Sequence, residues 1–107
     1  MTKGYNQMCP VARTLDVIGE KWTILILRDL LIDGPRKFQD FEKSMPGIAP
    51  TTLSARLKTL QASDIIESRL YSNHPPRAEY SLTQKGKSLG KIVGAMRDWG
   101  VRHAGAG

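Results

Sequence analysis

The sequence predicts a mainly α-helical domain carrying a two-stranded β hairpin. Three observations lead there. The 107 residues suffice for one core and leave no room for a second module. Apolar residues recur at helical spacing in most of the chain. One late pair of runs, the second strictly alternating, brackets a proline-rich turn. A hydrophobic fraction of 40 % with 24 % charged residues is ordinary globular usage, which argues against disorder and against a disulfide scaffold.

The elements follow in order. Pro10 suits the first position of a helix, where its missing N–H has no partner to lose, and Gly19 ends that helix after Leu15 and Ile18. From Glu20 to Ile32 the apolar residues leave almost no polar face, and the length favours a buried helix over a strand, stopped by Asp33-Gly34-Pro35. Trp22 is read as core, with Lys21 extended over it. Phe38 and Phe41 on a polar background give a short surface helix with one buried edge, ended by Pro46-Gly47. Pro50 opens a further helix, over about residues 50–63, in which Leu53, Leu57 and Leu60 recur at i, i+4 and i+7.

Ile65 to Ser72 and Arg77 to Thr83 bracket Asn73-His74-Pro75-Pro76 as a hairpin with a stiff tip, over about residues 65–83. Thr83 is a good N-cap for the last helix, about residues 84–100, whose Leu89, Ile92, Val93, Met96 and Trp99 share one face. Gly86, Gly90 and Gly94 each weaken that helix by about 1 kcal/mol relative to Ala, so packing must hold it. Only the Gly-Ala-Gly tail reads as disordered. This order of elements is that of a winged helix-turn-helix spanning residues 1–107, with the helix at 50–63 as recognition helix and the hairpin as wing.

Sixteen Lys and Arg against ten Asp and Glu give a net charge of +6, which points to a polyanionic partner such as nucleic acid. No apolar stretch is long enough for a membrane span, and the first eight residues lack the apolar core of a signal peptide, so a cytoplasmic protein is expected. Cys9 is the single cysteine and the two histidines are far apart, so neither an intrachain disulfide nor a structural metal site is expected. No arrangement of nucleophile, base and orienting acid, phosphate loop or paired carboxylates stands out, so neither an enzyme nor a cofactor is expected.

Cys9-Pro10, the run from Asp16 to Thr23, Pro46-Gly47-Ile48 leading into Leu53-Ser54-Ala55-Arg56-Leu57-Lys58, and Pro75-Pro76-Arg77 stand in a specific order. Glu79-Tyr80-Ser81-Leu82-Thr83, Lys85-Gly86 and Trp99-Gly100 continue it. From Cys9 to Gly100 the chain resembles the HxlR-type branch of bacterial MarR-like winged-helix transcriptional regulators. The resemblance implies a homodimer, joined through its first and last helices, that binds an operator. It also implies that Cys9 matches a cysteine through which some members sense oxidants or electrophiles. Two positions depart from the family pattern: Ala49 stands where a side-chain cap is usual, and Asp64 where glycine is expected.

If the family docking holds, Thr51, Thr52, Ser54, Ala55 and Lys58 face the major groove, with hydroxyls reaching bases or phosphates and the Ala55 methyl available to thymine. Arg36, Lys37, Arg56 and Arg77 are candidates for phosphate or minor-groove contact. A solvated helix face and surface solubility are the respective alternatives. Cys9 sits just before a helix whose backbone N–H groups point toward it, with Arg13 one turn on, an electropositive setting for a sulfur; a small inert capping residue is the alternative. Met96 and Trp99 belong to a core or dimer seam, or line a pocket for a small effector. A winged helix that mediates protein contacts without touching DNA is the reading from another class.

Overall fold

The computed structural model describes residues 9–105. Helix α1 runs Pro10–Ile18, with Cys9 as its N-cap and proline at its first position. Its end is fixed at Gly19, where a Cβ would stand 2.5 Å from the Leu15 carbonyl oxygen. Helix α2, Lys21–Asp33, starts one residue beyond Glu20, whose carboxylate accepts from the Thr23 backbone N–H. It stops at Gly34, whose φ of 76° suits glycine.

A short strand β1, Arg36–Lys37, leads into α3, Phe38–Ser44, and a turn delivers the chain to α4, Pro50–Ala62. Strands β2, Ile66–Asn73, and β3, Pro76–Leu82, form the hairpin, and α5, Gln84–Lys87, with α6, Gly90–His103, close the chain. The Gly-Ala-Gly tail extends beyond the described residues.

Three sequence expectations change. The sheet is three-stranded, in the order β1-β3-β2, because Arg36 and Lys37 pair antiparallel with Tyr80 and Glu79. The hairpin tip is tighter than expected: Asn73 pairs with Pro76, which leaves His74 and Pro75 as the turn. The last helix is broken at Ser88 and Leu89 into α5 and α6, with Thr83 capping the first piece by accepting from the Gly86 N–H at 3.0 Å.

One core gathers Ile18, Ile26, Leu27 and Leu30 from α1 and α2, Phe41 from α3, Leu53, Leu57 and Leu60 from α4, and Ile65 and Ile66 at the root of the wing. Trp22 is half-buried against it, and Lys21 Nζ lies 4.9 Å from the indole centroid, as the sequence suggested. Beneath α3, the buried Asp29 carboxylate accepts from Arg28 and from the Ser44 hydroxyl, which ties α2 to the end of α3. A buried carboxylate supplied with such donors is a fixed register mark between two helices. Helix α6 contributes no buried residue.

Candidate nucleic-acid interface

The leucine spacing of α4 decides what the helix shows. Because Leu53, Leu57 and Leu60 are at most 1 % exposed, the residues between them stand away from the core. Thr51, Ala55 and Lys58 are exposed, and Thr52 and Ser54 half-buried. Ala49 caps α4 without a side-chain hydrogen bond, so its own side chain leaves the first-turn amides uncapped. At the other end Asp64 takes the left-handed conformation, φ 61°, which lets the chain leave α4 and enter the wing where glycine is usual. The Thr83 hydroxyl donates to the carbonyls of Asp64 and Ile65, which fixes the wing root against α5.

The four basic candidates divide into two kinds. Arg77 is exposed at the start of β3, beside the tip, and neither it nor Lys58 makes an ion pair among the described residues. Lys37 stacks its ammonium over the exposed Tyr71 ring, 4.6 Å from the centroid, and its backbone N–H donates to Asp40.

Arg36 is 17 % exposed in its side chain. It pairs with Asp33, donates to the Asp40 carbonyl at 3.1 Å and lies 4.0 Å from the Asp40 carboxylate. Arg56 Nε lies 3.0 Å from Glu20 Oε1. That pair is an ion pair without an aligned hydrogen bond, since the buried Nε–H has no acceptor in line. Both guanidinium groups are thus engaged by carboxylates of the chain itself.

Sequence reasoning missed these carboxylate partners, because Asp40 read as part of a polar surface background, Glu20 as the start of the second helix, and only tertiary packing brings Glu20 to Arg56. It missed Tyr71 as well, which projects where the β2–β3 register slips between Leu70 and Ser72. Between wing and α3 lies a cleft of about 470 Å³, lined in part by Phe38, Leu70, Arg77 and Tyr80. Burial pushes the Tyr80 phenol above its ordinary pKa, so it stays a neutral ring, packed 6.2 Å from Phe41.

On the far side, α1 exposes Val11, Leu15 and Val17, and α6 exposes Ile92, Met96, Trp99 and Val101. These helices and α2 border two apolar clefts of about 420 and 470 Å³. Cys9 is half-buried at the start of α1. Among the described residues no cluster of His, Cys, Asp and Glu could hold a metal ion, and no helix is long and apolar enough to cross a membrane.

The sequence profile of HxlR-like helix-turn-helix proteins matches residues 17–106. An uncharacterized HTH-type transcriptional regulator of Bacillus subtilis, YdeP, is 40 % identical over 95 residues, which cover 89 % of this chain and 73 % of YdeP. The chain belongs to the HxlR-like helix-turn-helix family.

The fold of this HxlR-like chain is similar to that of the redox regulator HypR in its oxidized form, with a TM-score of 0.83 at 39 % identity over 91 % of this chain and 99 % of HypR. The reduced form of HypR gives 0.82, with 89 % and 95 % covered. The reduced form of the transcriptional regulator YodB from B. subtilis gives 0.73 at 30 % identity, covering 94 % of this chain and 99 % of YodB. The HxlR-like chain is therefore a helix-turn-helix transcriptional regulator with a winged-helix fold, as its element order suggested.

Proposed function

We propose that this regulator binds a pseudo-palindromic operator as a homodimer and represses transcription in the cytoplasm. The observation that carries the reading is the outward face of α4, where Thr51, Thr52, Ser54, Ala55 and Lys58 stand beside a wing bearing Arg77 on a chain of net charge +6. Recognition helix α4 enters the major groove, and Lys37 and Arg77 meet phosphates or the minor groove. Arg36 acts within the chain, clamping β1 to the start of α3. The apolar faces of α1 and α6 supply the dimer seam, which explains why α6 has no fully buried residue within one chain and packs only Val93 in part against the core.

Selection from a pool of random duplexes tests this directly. The recovered sites should contain two inverted half-sites about 10 to 10.5 base pairs apart or a multiple of that. Thr52→Ala or Ser54→Ala should change base preference at one position per half-site, by about 1–3 kcal/mol. Arg77→Ala should instead weaken binding to all sequences and flatten the slope of log K against log salt by about one unit for each phosphate that is no longer neutralised. Unselective recovery, or an unchanged slope for Arg77→Ala, would remove α4 or the wing respectively from the interface.

We infer further that Cys9 makes the regulator responsive to oxidants or electrophiles. The similarity to HypR, a redox regulator solved in oxidized and reduced forms, supports this, as does the place of Cys9 at the start of α1. With a single cysteine in the sequence, oxidation joins the two Cys9 thiols of a dimer, if their Cα atoms come within about 7 Å, or links each to a small thiol. Either product displaces α1 and with it the spacing of the recognition helices. Mild diamide should lower operator affinity of the wild type by about fivefold or more, reversibly with dithiothreitol, and leave Cys9→Ser unchanged. An equal response of the two proteins excludes Cys9 as the sensor.

A further inference from the structure

We propose that Arg56 and Glu20 are positioning residues that couple the orientation of α4 to the α1–α2 junction, and that Arg56 does not contact DNA. The inference rests on the DNA-binding reading above. Glu20 serves two elements through one oxygen. Its Oε1 accepts from the backbone N–H of Thr23 at 2.9 Å and from the Thr23 hydroxyl at 3.2 Å, which caps α2, and it also faces Arg56 Nε at 3.0 Å on α4. The cap cannot shift without moving the charge that Arg56 meets.

The other side of Glu20 is equally constrained. Gly19 packs so closely on the last turn of α1 that a Cβ there would stand 2.5 Å from the Leu15 carbonyl oxygen, and its own N–H donates to that oxygen at 2.8 Å. A rotation of α1 therefore passes through Gly19 to Glu20 with little slack, and from Glu20 to the second turn of α4.

The alternative link between α4 and the body of the chain is the core packing of Leu53, Leu57 and Leu60. The three buried leucines fix the depth of α4 and the face it turns inward, but apolar contact is non-directional, so small rotations about the helix axis that keep them buried cost little. An ion pair off that axis supplies the missing restraint. The pair borders an open cleft of about 470 Å³ of mixed lining, with Asp16, Thr23 and Thr59 beside Leu15 and Val17, so it is not sealed from solvent. With side chains 34 % and 40 % exposed, its contribution to stability is small, and variants at both positions should fold.

Glu20→Gln separates the possibilities, because the amide oxygen keeps the cap on Thr23 while the negative charge facing Arg56 disappears. The duplex recovered by selection with the wild type and a random duplex of equal length are the two probes. If the pair positions α4, Glu20→Gln and Arg56→Gln each lower the ratio of selected to random affinity by about tenfold, and the double variant loses no more than either single one. The salt slope stays at the wild-type value in all three.

If Arg56 instead contacts phosphate, Arg56→Gln weakens both probes alike and flattens the slope by about one unit, whereas Glu20→Gln leaves affinity unchanged or raises it by freeing the guanidinium. That result overturns the proposal. So does a lowered melting temperature with the selectivity ratio intact, which would make the pair merely structural. Failure of the wild type to select any duplex overturns the DNA-binding reading itself, and the positioning role with it.

Discussion

Phe41→Ala is expected to remove about 3–5 kcal/mol of folding stability, the usual range for deleting a fully buried aromatic side chain. Phe41 is 0 % exposed at the centre of α3, where it belongs to the shared core and packs its ring against that of Tyr80. Alanine would leave a void bordered by Tyr80, a residue of the sheet that cannot follow inward without pulling β3 away from β1 and β2. Domains of this size have about 5–15 kcal/mol in all, so the variant would lie near its unfolding transition. Urea unfolding measures the effect as a drop in midpoint at constant slope. A loss under about 1 kcal/mol would show that α3 can collapse onto α2 unaided.

Gly86→Ala should be nearly as damaging, by about 3 kcal/mol or more, for the opposite reason. A Cβ at that position would stand 2.2 Å from the Ile65 carbonyl oxygen and 2.9 Å from Leu82 Cδ2. Ile65 cannot yield, because its carbonyl already accepts from the backbone N–H and the hydroxyl of Thr83 and marks the entry to the wing. Gly94→Ala is the control. Nothing lies within 4 Å of its added Cβ, and the substitution should stabilise α6 by about 1 kcal/mol. Thermal melts of the two variants should therefore move in opposite directions from the wild type. A shared direction would mean that helix propensity, rather than the close approach at Ile65, governs both sites.

The contrast between these glycines shows what the sequence could reveal and what it could not. Pro10, Gly19 and Pro50 are local signals, and they place the ends of α1 and the start of α4 correctly because capping chemistry acts within a single turn. The i, i+4, i+7 leucines of α4 identify its buried face, and so its outward residues, for the same reason. The break in the final helix has only a weak signal: Ser88 and Leu89 keep right-handed backbone angles, and a lone serine, whose hydroxyl here donates to the Lys85 carbonyl, does not by itself predict a helix end.

Gly86 read as a weak helix residue because its neighbour across the fold, Ile65, is more than twenty positions away. Strand β1 is two residues long, too short for any alternation to register. The ion pair of Arg56 with Glu20 likewise exists only once α4 has packed on the α1–α2 junction, so the sequence alone carries no sign of that partner.

The sheet order places the eight-residue β2 at an edge, whose outer backbone groups have no strand partner among the described residues. Such an edge can recruit a second chain and seed aggregation. Here Glu67 and Arg69 put opposite charges on it, the irregularity between Leu70 and Ser72 interrupts its regular register, and the strand ends at a proline turn. A foreign strand would find a charged and interrupted template rather than a flat one. Backbone pairing along this edge is thereby disfavoured, and the apolar side chains exposed on α1 and α6 stand on other elements.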